Sequence, residues 1–167
     1  MKAKFLAAAF LSMASIGSAY AETITLTAGA DGSYTGYFGA SHTAGSFTDE
    51  YVFTPSVGTS LVDALISSSG FSKVTNIDFT SATLNGKALE ITNGTFDFAY
   101  TASQLPLSGS LSLIISGVSG ANASYAGTVN VLPVPEPETY ALMLAGVGVV
   151  GFMARRRKGA AKSPQYA

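Results

Sequence analysis

The chain has 167 residues, 47% of them apolar and only 11% charged, with no cysteine and a single histidine. That composition excludes a disulfide scaffold, a thiolate metal site and a typical zinc centre, so the fold must rest on its apolar core alone. The net charge of −1 hides a segregation: seven of the nine Lys and Arg lie in the terminal segments, and residues 22–134 carry eight acids against Lys73 and Lys87, a net −6 that excludes nucleic-acid binding.

Lys2 and Lys4 open the chain, and Phe5 to Ile16 is an almost unbroken apolar run. Ala19-Tyr20-Ala21 then places small residues at the two positions that a signal peptidase pocket must admit. Residues 1–21 therefore read as a signal peptide, cleaved after Ala21 to leave Glu22 as the first mature residue. The apolar run is too short to serve as a permanent anchor, which needs roughly 20 residues.

From Glu22 to Leu132 the chain is rich in Thr, Ser, Gly and aromatic residues. Apolar and polar residues alternate in Ile24-Thr-Leu26, Phe47 to Phe53, Ile77-Asp-Phe79, Phe96-Asp-Phe98 and Leu111-Ser-Leu113, the period of half-buried strands. Asn85-Gly86 predicts a tight hairpin, because both residues tolerate positive φ. Leu61, Ala64 and Leu65 share one helical face, so Leu61 to Ile66 is open to a short helix as well as a strand. The expected fold is all-β: one small antiparallel β-sandwich, jelly-roll-like, in residues 22–132.

Within Phe47-Thr-Asp49-Glu-Tyr51-Val-Phe53 the odd residues share a face, which places a carboxylate among rings. Two readings of Asp49 stand: a structural acid capping a turn or pairing with backbone N–H groups, or a Ca²⁺ ligand joined by Asp31 or Asp78. Since no Asp-x-Asp-x-Asp loop accompanies it, no metal site is assigned. His42 sits in a Gly/Ser/Thr-rich stretch and reads as an exposed loop residue, and no Gly-x-Ser-x-Gly elbow supplies a nucleophile. No catalytic residue and no cofactor is assigned, and the chain is not expected to be an enzyme. Tyr34, Tyr37 and Phe38 either fill the core, the favoured reading, or form a ring platform for sugar stacking. Asn93-Gly-Thr95 and Asn122-Ala-Ser124 match the glycosylation sequon but also suit turns.

Past the domain, Val131 to Thr139 reads as a proline-stiffened linker. Val134-Pro135-Glu136-Pro137 is followed by 15 uncharged residues, Tyr140 to Ala154, and then by Arg155, Arg156, Arg157 and Lys158. A helix over that stretch covers roughly 22 Å, short of the ~30 Å hydrocarbon layer. With snorkelling cations, a short transmembrane helix over 140–154 is the expectation, with the basic cluster as its stop-transfer signal and 159–167 as a cytoplasmic tail.

The order Val134-Pro135-Glu136-Pro137, apolar stretch, arginines resembles the PEP-CTERM sorting signal over residues 133–158. The resemblance implies an exported protein processed by an exosortase, a membrane cysteine transpeptidase, in bacteria that make exopolysaccharide. More weakly, the body resembles the FxDxF type of PEP-CTERM protein, through Phe47, Asp49, Tyr51 (where that motif prefers Phe) and Phe53. The expected partners are signal peptidase, exosortase, the membrane through the C-terminal helix, and exopolysaccharide. The expected location is a membrane-anchored precursor, then the cell surface or extracellular matrix. The expected role is structural or adhesive in a biofilm, the alternative being an extracellular polysaccharide-binding module.

Overall fold

The computed structural model describes residues 21–135 and 137–160, so the signal-peptide residues Lys2 to Ala19, Glu136 of the sorting element and the tail from 161 lie outside the described residues. Ten strands and one helix follow in order: β1 (Ala21–Thr25), β2 (Thr27–Ala28), β3 (Tyr34–His42), β4 (Gly45–Ser69), β5 (Ile77–Leu84), β6 (Lys87–Ala88), β7 (Glu90–Thr92), β8 (Phe96–Tyr100), β9 (Leu105–Ser119), β10 (Ala123–Pro133) and α1 (Pro137–Ala160). The strands form one open sheet ordered β2-β3-β10-β4-β9-β5-β6, with β1 and β8 also on β4 and β7 on β8. Every pairing among the described strands is antiparallel except β1 with β4.

The sheet doubles back on itself at β4. Residues 45–53 of this strand pair with 111–119 of β9, whereas 60–68 pair with β10 on one side and, on the other, 60–62 pair with β9 and 65–69 with β8. Between Phe53, opposite Leu111, and Ser60, opposite Leu107, β4 takes seven steps where β9 takes four. The odd excess reverses which residues face inward. Phe47, Asp49, Tyr51 and Phe53 point in before the irregularity, and Ser60, Val62, Ala64 and Ile66 after it. Thr54-Pro55 sits where the ladder breaks, at a residue with no N–H to donate.

The inward faces of the two halves meet in one core. Phe38 of β3 lies 4.7 Å from Tyr51 of β4 between ring centres, and Phe79 of β5 lies 5.8 Å from Tyr125 of β10. The expected sandwich is thus present as two halves of one continuous sheet. Asn85 and Gly86 adopt φ of 46° and 73°, the predicted tight turn. The Asn85 side chain also accepts from Ser112 N (2.7 Å) and donates to Ser110 O (3.0 Å).

Two expectations need correction. Leu61 to Ile66 is strand, not helix: Val62, Ala64 and Ile66 are buried while Leu65 is exposed, because β10 flanks the whole segment on one side and β9 and β8 flank its two ends on the other, supplying its backbone partners. The linker is also shorter than read, since β10 runs through Pro133 and Val134 N still donates to Thr59 O (2.9 Å).

Gly127 marks a close approach at the centre of the core. A Cβ there would clash with the Phe38 ring and lie 2.8 Å from the Leu65 carbonyl. Gly127→Ala should cost about 1–3 kcal/mol in urea unfolding. Gly58→Ala, which meets nothing within 4 Å, should stay within about 0.5 kcal/mol. Equal stabilities for the two variants would contradict this packing.

Candidate functional site

Two places concentrate functional groups: an aromatic–carboxylate cluster at one end of the core, and the segment leaving β10. The cluster is built by the inward face of early β4 and its neighbours. Asp49 Oδ2 accepts from His42 Nε2 (2.8 Å) at the end of β3 and from the Tyr125 hydroxyl on β10. With its own proton directed to Asp49, the Tyr125 oxygen accepts from the Tyr51 hydroxyl at 2.8 Å. Phe47 stacks on the His42 ring, 3.9 Å between centres and 13° from parallel.

The carboxylate that looked costly among rings is therefore satisfied by side chains from two other strands. Neither the backbone N–H partners of the structural reading nor a neighbouring Asp31 or Asp78 supplies its bonds. Asp31 accepts from Ser33 N and Oγ, which hold its pKa below the ordinary value, and Asp78 accepts from Asn76. Among the described residues no group of three or more His, Asp or Glu is placed to hold a metal ion. His42 is not the exposed loop residue expected: it closes β3, partly buried against Asp49 and Phe47. Only its pairing across strands reveals this, because Gly/Ser/Thr neighbours carry no such signal.

The remaining candidates divide between the two faces. Phe38 is buried, Tyr34 packs against the core, and Tyr37 is 70% exposed, so these three form no common platform. Asn93 uses its amide on both backbone groups of Phe79, accepting from N (3.1 Å) and donating to O (2.9 Å). A fully buried acid, Asp97, escaped the sequence reading. Its Oδ1 accepts from Gly94 N (2.7 Å), its Oδ2 has no partner, and burial raises its pKa.

At the other site, the chain leaves the domain at Val134, and Pro135 follows outside any strand. Pro137 is the first residue of α1, where its missing N–H costs nothing and its φ suits a helix. Glu138 lies in the first turn, at the positive end of the helix dipole. Arg155, Arg156 and Arg157 are exposed toward the other end; the Lys158 side chain lies outside the described residues. The expected helix forms, but the expected transmembrane span does not hold: no helix among the described residues is long and apolar enough to cross a membrane. The uncharged stretch from Tyr140 to Ala154 is only 15 residues, and Gly146, Gly148 and Gly151 dilute its hydropathy. The membrane-anchored precursor and cytoplasmic tail that rested on this span lose their support with it. Ala21, the proposed cleavage residue, opens β1 opposite Glu50, so cleavage after it leaves Glu22 to Thr25 paired with β4.

The tyrosine chain gives the domain an alkaline limit. Burial, outweighing the opposing bond to Tyr125, pushes the Tyr51 hydroxyl up to about 12, and burial followed by the bond to Asp49 raises Tyr125 further. Their stabilisation is complete below the ordinary value of 10.0 and is lost as pH rises through the folded values, because the unfolded chain releases these protons first. Stability should fall by about 1.4 kcal/mol per pH unit per tyrosine above that point. Urea midpoints measured from pH 8 to 11.5 should drop steeply past pH 10, and Tyr51→Phe should flatten the drop; an unchanged slope in the variant refutes the assignment.

A scan against family models matches residues 133–158 to the PEP-CTERM protein-sorting motif. No curated protein matches the chain. Among solved structures, the chain is similar to the pre-peptidase C-terminal domain of collagenase from Bacillus anthracis, with 15% identity and a TM-score of 0.42, over 66% of this chain and 95% of that one. The strand end at Pro133, the Pro135–Pro137 element, the helix and its arginines are together a PEP-CTERM sorting signal, and the chain is an exported protein of the exosortase-sorted kind.

Proposed function

We propose that this chain is a surface or matrix protein whose β domain has a structural or adhesive role in an extracellular polysaccharide setting. On this reading the body is of the FxDxF type, signal peptidase removes residues 1–21, and exosortase acts on the segment that follows β10. The chain is the substrate of that machinery and not an enzyme. The observation that carries the reading is the placement of the Pro-Glu-Pro element. It begins immediately after the last residue tied to the domain and ends on the first residue of the helix. A processing enzyme can reach such a junction without unfolding either side.

A role in binding or structure, rather than catalysis, is supported by the way the core uses its reactive groups. The Nε2 of His42 is committed to Asp49, and its ring lies with Phe47 and Tyr125 in a near-parallel group. Ser119 Oγ donates its one proton to the Gly120 carbonyl (2.9 Å), with the His42 carbonyl also within 3.4 Å, so that hydroxyl points at backbone and not at the imidazole. The acidic, cysteine-free composition is compatible with a hydrated extracellular gel.

Replacing Pro135 and Pro137 together with Ala tests the sorting step. Alanine is well tolerated in a helix, so α1 should persist while recognition is lost. In an exosortase-bearing host the variant should accumulate as the unprocessed form, read by immunoblot and C-terminal mass. Processing at the wild-type level would refute recognition of this element.

A further inference from the structure

The outer face of the β8-β4-β10-β3 half carries a feature that neither the sorting signal nor the Asp49 cluster uses. In the strand register Phe98 stands opposite Ser67, Ser67 opposite Ala126, and Ala126 opposite Gly39. The next outward row brings Phe96 opposite Ser69 and Ser124 opposite Ser41. Three adjacent strands thus present only small side chains, while the β8 edge presents two phenyl rings. The result is a depression of about 360 Å³ lined by Ser67, Ser69, Phe96, Phe98, Ser124 and Ala126, among others. Phe96 is 54% exposed and meets the still more exposed Phe71 edge-to-face at 6.2 Å. On the far side Tyr37 and Leu65 rise from the following row, both opposite Thr128.

We propose that this trough binds a segment of neutral polysaccharide, its rings stacking on Phe96 and Phe98 and its hydroxyls meeting the serines of the floor. Strands about 4.8 Å apart set β8, which carries the rings, about 10 Å from β10 across β4, enough for one sugar chain lying flat on the floor that β4 and β10 provide. Phenyl faces attract the polarised C–H faces of pyranose rings, and serine hydroxyls both donate and accept, as sugar hydroxyls require. Charge selects the ligand class: no ionisable side chain lines the depression except the buried Tyr125, and the surrounding domain is acidic, which disfavours anionic chains. Other occupants fit less well. A peptide adding as a strand needs a free sheet edge, and β4 and β10 are paired on both sides here. A stable protein partner buries roughly 800 Å² per side around an apolar centre, and the centre of this floor is largely hydroxyl.

The inference rests on the extracellular-polysaccharide setting proposed above and gives it a place and a chemistry. It differs from the sugar platform considered at Tyr34, Tyr37 and Phe38, two of which face the core. Affinity electrophoresis of the full chain tests it in gels containing hydroxyethylcellulose, galactomannan, dextran or pullulan, with alginate as the anionic comparison. At least one neutral polymer should retard the protein, and Phe96→Ala with Phe98→Ala should weaken retardation about tenfold. Both rings are solvent-facing, so the urea midpoint should hold, and a Ser67→Tyr variant that fills the floor provides a second way to abolish binding. No retardation by any neutral polymer, stronger retardation by alginate, or retardation indifferent to these variants overturns the proposal. So does sedimentation showing that the phenylalanines instead join two copies of the chain. Processing at the Pro-Glu-Pro element is read separately, so failure here leaves the sorting conclusion intact.

Discussion

Everything in this domain depends on the passage of β4 from one half of the sheet to the other. A strand of 25 residues cannot remain straight in a domain this small and bury one face throughout. It uses three extra residues against β9 to turn and to exchange its inward set, so the face carrying Tyr51 and Phe53 and the face carrying Val62 and Ile66 meet in one core. Pairing with β9 breaks after Phe53 but resumes at Val57 and from Ser60 to Val62, so one neighbour holds both halves of the strand. The two halves are therefore joined covalently and by ladder, which a disulfide-free exported domain needs.

The Asp49 cluster closes the structure where that turn leaves it open. Early β4 and β10 are not hydrogen-bonded to each other along the segment that carries Asp49 and Tyr51. The side-chain chain from His42 through Asp49 and Tyr125 to Tyr51 spans the gap between layers instead. A partly buried carboxylate with two donors is stabilising only while both partners remain, which makes the cluster a single unit. Its four polar members come from β3 and β4, which adjoin in sequence, and from β10, whose Tyr125 lies 76 positions beyond Asp49. The cluster therefore specifies the layer pairing as much as it strengthens it.

Inside and outside are put to different uses. The inward face holds the rings that the core consumes, and the outward face of the same strands leaves Phe96, Phe98 and Tyr37 in solvent around small residues. The sorting signal leaves from the end of β10, so release at that point would leave both faces unchanged. Sorting and any surface recognition can thus be altered independently.

The alternation of Phe47 to Phe53, the Asn85-Gly86 turn and the order proline element, apolar stretch, arginines are local patterns. The sequence by itself therefore determined the strand character, one hairpin and the sorting signal. It could not determine the parity change after Phe53, because the extra residues are extra only relative to a partner more than 40 positions away. For the same reason Leu61 to Ile66 read equally as helix, and His42 read as a loop residue. Which phenylalanines are core and which line a trough is likewise absent from composition. Phe53 and Phe96 have similar local settings, and only the pairing of strands assigns one to each side. The C-terminal segment shows the complementary limit: its pattern fixed its class as a sorting signal, whereas the short, glycine-diluted apolar stretch of the helix overturned the membrane span read from it. Local chemistry is written in neighbouring residues, but which face a strand turns inward is decided by its distant partners, and only the tertiary structure brings those together.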